Sequence, residues 1–108
     1  MKVKWSDFAQ DEFFKTADYI NGHFGVKARN EFVSKVRRID TLLKTQPLLG
    51  VAEPFLEKAP LPFRSVKVSD INRIIYYVGE KYIEVVDFWD MRRNLELLAE
   101  RVIDNGLR

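Results

Sequence analysis

Apolar residues recur at helical spacing in the first half of the chain and at strand spacing in much of the second half. Residues 2–5 alternate Lys-Val-Lys-Trp, which sets Val3 and Trp5 on one face of a short strand and the lysines on the other. Ser6 or Asp7 then offers an N-cap, and Asp7 with Gln10 has capping-box spacing. Ala9, Phe13, Ala17, Ile20 and Phe24 follow on one face, predicting a helix over roughly 7–23 that Gly22 and Gly25 bring to an end. Ala28, Phe32, Val36, Ile39 and Leu43 repeat in the same way and predict a second helix over about 27–44. Its other face carries Arg29, Lys35, Arg37 and Asp40. So short a turn between two helices implies an antiparallel helical hairpin.

From Thr45 to Pro62 the pattern breaks. Pro47, Gly50, Pro54, Pro60 and Pro62 suit neither a helix interior nor a central strand, so the segment reads as a loop crossing the molecule, with Phe55 and Leu56 pinning it down or awaiting a partner. Three strands come next. Residues 63–68 alternate, with Arg64, Val66 and Val68 on one face and Phe63, Ser65 and Lys67 on the other. Residues 72–78 are β-branched and aromatic, as in a central strand covered on both faces. Gly79-Glu80-Lys81 closes a hairpin into a last strand at 82–89. Asn94 can cap a final helix over 95–104 that turns Leu95, Leu98, Val102 and Ile103 inward. The expected fold is α+β: an N-terminal strand, an antiparallel helical hairpin, a three-stranded antiparallel meander and a C-terminal helix.

Composition narrows the function classes. The 108 residues suffice for one domain and no second. With 46% apolar and 31% charged residues, disorder is not expected as the main state. There is no cysteine and a single histidine, His23, so disulfides are impossible and neither a metal site nor a cofactor is expected. The N-terminus lacks an apolar run of signal-peptide length, and a cytoplasmic address is expected. Net charge is only +2, and residues 61–93 hold six basic side chains (Arg64, Lys67, Arg73, Lys81, Arg92, Arg93) against five acids. No broad basic field is expected, and phosphate recognition would need local placement.

The chain carries a scattered set of landmarks: Trp5-Ser6 and Ala9; Tyr19-Ile20; Phe24-Gly25 with Ala28 and Phe32; Leu42, Pro47 and Gly50; Arg64 and Val68; Arg73-Ile74-Ile75-Tyr76; and Phe88-Trp89-Asp90 with Arg92-Arg93-Asn94. In their joint order over residues 5–95 they resemble the RelE/ParE superfamily of toxins from type II toxin–antitoxin and plasmid-stabilisation modules. One departure is Leu95, where the family often has proline. The resemblance implies a growth inhibitor silenced by a cognate antitoxin that wraps it with a helix and an extended segment. RelE-like members cut mRNA in the ribosome, whereas ParE-like members bind DNA gyrase and do not cut RNA.

Cleavage through the 2′-hydroxyl needs a base, an acid and cations for the phosphorane. Arg64, Lys67 and Arg73 on neighbouring strands, with Arg92 and Arg93, could bind a target or an anion, and arginine's planar fork suits phosphate. As nuclease candidates, Arg64, Arg73 and Arg92 would hold phosphate, with Tyr76, another tyrosine (Tyr77, Tyr82) or a carboxylate (Glu84, Asp87) as base. Each has a structural alternative: His23 as a solvated helix end, the tyrosines as sheet packing, and Arg64 and Arg73 as partners of Asp87 or Glu84 across the sheet. Arg92 and Arg93 precede a helix start, where the macrodipole disfavours cations by about 0.3–1 kcal/mol each but free N–H groups attract an anion. Asp87, Asp90 and Glu96 could equally neutralise them. No His or Tyr follows Trp89, where RelE-type nucleases often carry one. The ParE-like branch is therefore favoured: a toxin that binds gyrase without catalysis. A ribosome-dependent mRNA endoribonuclease and an inactive toxin-fold binding protein are the alternatives.

Overall fold

The computed structural model describes residues 1–106. Strand β1 (Lys2–Trp5) leads into helix α1 (Asp7–Thr45), capped by the Ser6 hydroxyl, which accepts from the Ala9 N–H at 3.0 Å. Helix α1 is broken at Gly25, where φ 91° and ψ 174° leave the helical region. A side chain at that φ would be strained, so glycine makes the reversal possible. The result is the expected hairpin of two arms, residues 7–24 and 26–45. Across it Phe13 stacks on Phe32 at 5.7 Å, and both meet Phe88 edge-on at 5.8 Å. Trp5 Nε1 donates to Asp40 Oδ1 at 2.8 Å and the Met1 ammonium to the Lys44 carbonyl at 2.8 Å, tying β1 to the second arm.

The remaining elements are β2 (Val51–Ala52), a 3-10 turn at Pro54–Leu56, β3 (Arg64–Lys67), β4 (Asn72–Val78), β5 (Tyr82–Asp90) and α2 (Leu95–Gly106). The five strands form one sheet in the order β1-β5-β4-β3-β2, with β1 parallel to β5 and the other pairs antiparallel. The expected three-stranded meander, β3-β4-β5, is antiparallel as expected, but the sheet as a whole is mixed because the N-terminal strand joins it in parallel, a pairing the sequence pattern did not give. The three expected strands are its centre. The missed strand, β2, is two residues long, too short for alternation to register, and lies inside the proline-rich segment.

Both faces of the sheet are covered. Ala9, Val36, Ile39 and Leu43 of α1 pack on Val68, Ile74, Tyr76, Ile83, Val85 and Phe88. On the other face Leu98, Ala99 and Val102 of α2, with Leu56 and Phe63, pack on Ile75, Val86 and Trp89. Burial of that apolar surface is the main force holding the layers together. Leu56 is indeed buried and pins the long loop, whereas Phe55 is exposed. Ala99 takes an inward position that the sequence pattern gave to Ile103, which is exposed.

Strand β5 carries one irregularity that redirects its side chains. Ile75 pairs with Asp87 but Tyr76 pairs with Val85, so Val86 is an extra residue in β5. This bulge turns both Val86 and Asp87 toward the α2 side. No helix among the described residues is long and apolar enough to cross a membrane.

Candidate functional site

The strand cations do not converge. Arg64 stands opposite Tyr76 and so faces α1, while Lys67 and Arg73 stand opposite each other on the α2 face. Successive side chains of a strand point to opposite faces, and the register leaves no other outcome.

Each is also engaged. Arg64 donates from Nε and Nη2 to the Gly50 carbonyl at 3.0 and 2.6 Å. The Tyr76 hydroxyl, fully buried, accepts from the Gly50 N–H at 2.9 Å and donates to the Pro47 carbonyl at 2.8 Å. A Cβ on Gly50 would come within 2.6 Å of the Ser65 carbonyl oxygen. Arg64, Tyr76 and Gly50 therefore anchor the exit from the hairpin. Arg73 Nη1 reaches Glu53 Oε2 at 3.1 Å, and the Glu53 side chain is wholly buried. Lys67 pairs with exposed Asp70 at 3.3 Å.

The other candidates for proton transfer are separated too. Tyr77 packs edge-on against Phe63 at 5.7 Å, and burial, with the neighbouring Glu84 charge, pushes its phenol up. Tyr82 is exposed beneath the Lys4 ammonium, 5.8 Å from its ring centre. Asp87 is buried and takes both Nε and Nη2 of Arg101, at 2.9 and 2.8 Å. Burial drives its carboxyl above the usual carboxylate range, and the Arg101 bonds only partly offset this. Arg101 also lies 3.7 Å from Glu12 and over the Phe8 ring, so one guanidinium joins α1, β5 and α2. The expected cross-sheet pairs are thus replaced: Arg73 takes Glu53, and Asp87 takes Arg101. Arg101 was not among the sequence candidates. Its signal was a charge between Leu98 and Val102 on the apolar side of a helix, which calls for a buried partner.

Arg92 and Arg93 do line an open groove. Arg92 forks onto Asp90, Nε to Oδ1 at 3.0 Å and Nη2 to Oδ2 at 2.8 Å, and its own N–H meets Oδ1 at 2.9 Å. These bonds hold the Asp90 carboxyl below, and the guanidinium above, their ordinary values. Arg93 is exposed and has no ion-pair partner among the described residues. Asn94 caps α2 as expected, its Oδ1 accepting from Glu96 and Leu97 N–H at 3.0 and 3.2 Å. Those donors are therefore spent on the cap, and an anion here would rely on Arg93 more than on the helix start.

The groove, about 430 Å³, runs between this turn and the first arm of α1, with Tyr19, Phe24 and Ile71 on its wall. These three are 49%, 69% and 40% exposed, an apolar rim around a cationic end. His23 stacks on Tyr19 at 4.0 Å and its Nδ1 donates to the Tyr19 carbonyl at 3.0 Å. Apolar side chains beside an unpaired arginine are the make-up of a protein-binding surface.

Comparison with known proteins agrees with this architecture. In fold the chain is similar to a chain of the chromosomal ParDE TA system from P. aeruginosa, with TM-score 0.68 at 16% identity over 83% of this chain and 95% of that one. It is also similar to a YoeB/ParE toxin from Agrobacterium tumefaciens, with TM-score 0.59 at 19% identity over 83% and 98%. No match is found among curated proteins. Residues 3–95 match the model of the ParE toxin of type II toxin–antitoxin systems, parDE. That match spans most of the sequence, including both arms, the sheet from Val3 onward and the Arg92-Arg93 turn, and the chain belongs to the ParE toxin family.

Proposed function

We propose that this toxin stops growth by binding DNA gyrase, without catalysis, and that a cognate antitoxin neutralises it. The observation carrying this reading is the fate of the nuclease candidates. Arg64, Arg73 and Tyr76 are bonded to the protein's own groups and divided between two faces of the sheet. The exposed Arg93, with Arg92, Tyr19, Phe24 and Ile71, instead offers a surface suited to a folded partner. Action on gyrase would take place in the cytoplasm.

The test is a supercoiling assay with purified toxin and gyrase. Wild type is expected to inhibit and the antitoxin to relieve it, while Arg92→Ala/Arg93→Ala loses inhibition at least tenfold. Supercoiling that stays intact at concentrations that stop growth overturns the gyrase reading. One feature favours a second reading, ribosome-dependent mRNA cleavage: His23 stacks on Tyr19, which borders the same groove as Arg92. Primer extension on translated mRNA after induction would then reveal cuts in codon register that His23→Ala abolishes.

A further inference from the structure

The strongest concentration of charge lies away from that groove, on the second arm of α1. Residues 26–45 hold six basic and two acidic side chains, a net +4, while the rest of the chain holds twelve and fourteen, a net −2. The small net charge of the whole chain, +2, hides this asymmetry. Val36, Ile39 and Leu43 fix the arm's orientation by packing on the sheet. Lys27, Lys35, Arg37 and Arg38 are thereby left exposed, with Arg29 half-buried beside them. None of the five forms an ion pair among the described residues. Of the arm's two acids, Asp40 is occupied by Trp5 and Lys44, and exposed Glu31 lies beside Lys27, Lys35 and Arg38 without an ion pair to any of the five.

Two further features point to a ligand. Arg29 Nε is buried and has no hydrogen-bond partner. Two shallow concavities of about 620 and 250 Å³ lie along the arm and share Asn30 and Ser34, which are uncharged hydrogen-bonding groups set among the cations. Like charges held this close repel one another, and they gain most from a partner whose negative charges are themselves closely spaced.

We propose that the outward face of α1's second arm binds the phosphodiester backbone of a nucleic acid. The dimensions fit. From Lys27 to Arg38 the helix advances about 16 Å, which spans roughly five nucleotides at ~3.4 Å per step along a strand. Arginine forks, with Asn and Ser between them, are the usual phosphate donors, and they fix position without reading sequence. The surface chemistry argues against a protein occupant. Val26 and Leu42, at the two ends of the cationic run, are the large apolar side chains exposed on this arm. The hairpin's exposed aromatics, Phe14, Tyr19 and Phe24, all belong to the first arm; Phe14 shares a concavity with Arg29 and Arg37 but not with Lys27, Lys35 or Arg38. A protein interface needs an apolar centre; a phosphate backbone does not. The groove at Arg92 and Arg93 shares no residue with this face, so gyrase binding and backbone binding can fail separately.

Fluorescence anisotropy with the full chain tests it, using a random-sequence DNA duplex and a single-stranded RNA of equal length as probes. About four phosphate contacts predict that affinity for duplex falls on the order of 100-fold between about 50 and 200 mM salt. Arg37→Gln/Arg38→Gln is expected to lower the log–log salt slope by about two. A double of equal charge elsewhere, Lys58→Gln/Lys81→Gln, is expected to leave the slope unchanged. Lys27→Gln/Lys35→Gln serves as the second variant should the first melt early. Tighter binding of duplex assigns the face to DNA and tighter binding of the single strand to RNA; either supports the proposal. Three results overturn it: no binding of either probe at low salt, equal losses in the matched doubles, or nucleic-acid binding that survives Arg37→Gln/Arg38→Gln while a co-purified antitoxin is released.

Discussion

The arginines around the sheet and those of the helical hairpin are one residue type with two fates. Arg64, Arg73 and Arg101 lie between covered layers, and each has found a carbonyl or carboxylate of its own chain. Arg37 and Arg38 lie on the far side of a helix whose apolar stripe already faces the sheet, and they have none among the described residues. Burial explains the difference. A guanidinium between packed layers loses water and must replace it with fixed acceptors, while one on an outward face keeps its hydration and stays free for a partner. An arginine's availability is therefore set by its depth in the layers more than by its nearness to a family signature.

The hardest test of that contrast is Asp87. Replacing it with alanine leaves Arg101 largely buried with only Glu12 nearby, at 3.7 Å. The expected loss is about 3–5 kcal/mol, read from denaturant unfolding. Asp87→Leu with Arg101→Met should recover most of it, because apolar side chains avoid the desolvation that raises the Asp87 carboxyl. A loss under about 1 kcal/mol in the single variant would mean that this arginine is no more committed than the surface ones. The pH dependence has a definite sign. A carboxyl raised in the folded state is held protonated there more readily than in the unfolded chain. Its stabilising contribution is complete below the unfolded value and is lost as pH rises through the folded one. Wild-type stability should therefore fall relative to Asp87→Asn as pH rises above the ordinary aspartate range.

Tyr76 gives a smaller effect of the same kind. Tyr76→Phe removes one hydroxyl and orphans two groups, the Gly50 N–H and the Pro47 carbonyl. About 2 kcal/mol should be lost. If Tyr76 served proton transfer in the cell, toxicity would vanish well beyond what that loss of stability explains. Toxicity that follows stability marks it as an anchor.

These two positions show what could be read in advance. The hairpin was legible because Ala9, Phe13, Ala17 and then Phe32, Val36, Ile39 repeat over several turns and Gly25 interrupts them. The central strand was legible because Ile74, Ile75 and Tyr76 are apolar on both faces, and the cap at Asn94 because its side chain acts locally. Pairings distant in sequence were not. β1 joins β5 across some eighty residues, and nothing in Lys-Val-Lys-Trp states a parallel neighbour. The bulge at Val86 inverts part of the facing pattern of β5, so Asp87, read as a possible base, is turned inward to Arg101. Of the candidate cations, Arg92 and Arg93 were legible because they fall just beyond a strand end, where side chains leave the layers. Arg64 and Arg73 lie on neighbouring strands, but adjacent strands do not make adjacent side chains, and the pairing register, which no local pattern states, puts the two on opposite faces.

The smallest expected effect carries the opposite sign. Arg38 lies three residues after Lys35 on the exposed side of the second arm, and like charges at that spacing repel. Arg38→Gln should leave the fold as stable as before or raise its stability by about 0.2–0.5 kcal/mol, more at low salt than at high. A pair of melts at two salt concentrations measures this. Should Arg38→Gln destabilise instead, the side chain has a partner in the folded protein, and the division between committed and free arginines fails at this position. If it is stabilising while nucleic-acid affinity drops, then the charge on the second arm is held at a cost to the fold. A charge that costs stability and serves binding is what separates this face from Arg64, Arg73 and Arg101, whose removal can only weaken the layers they join.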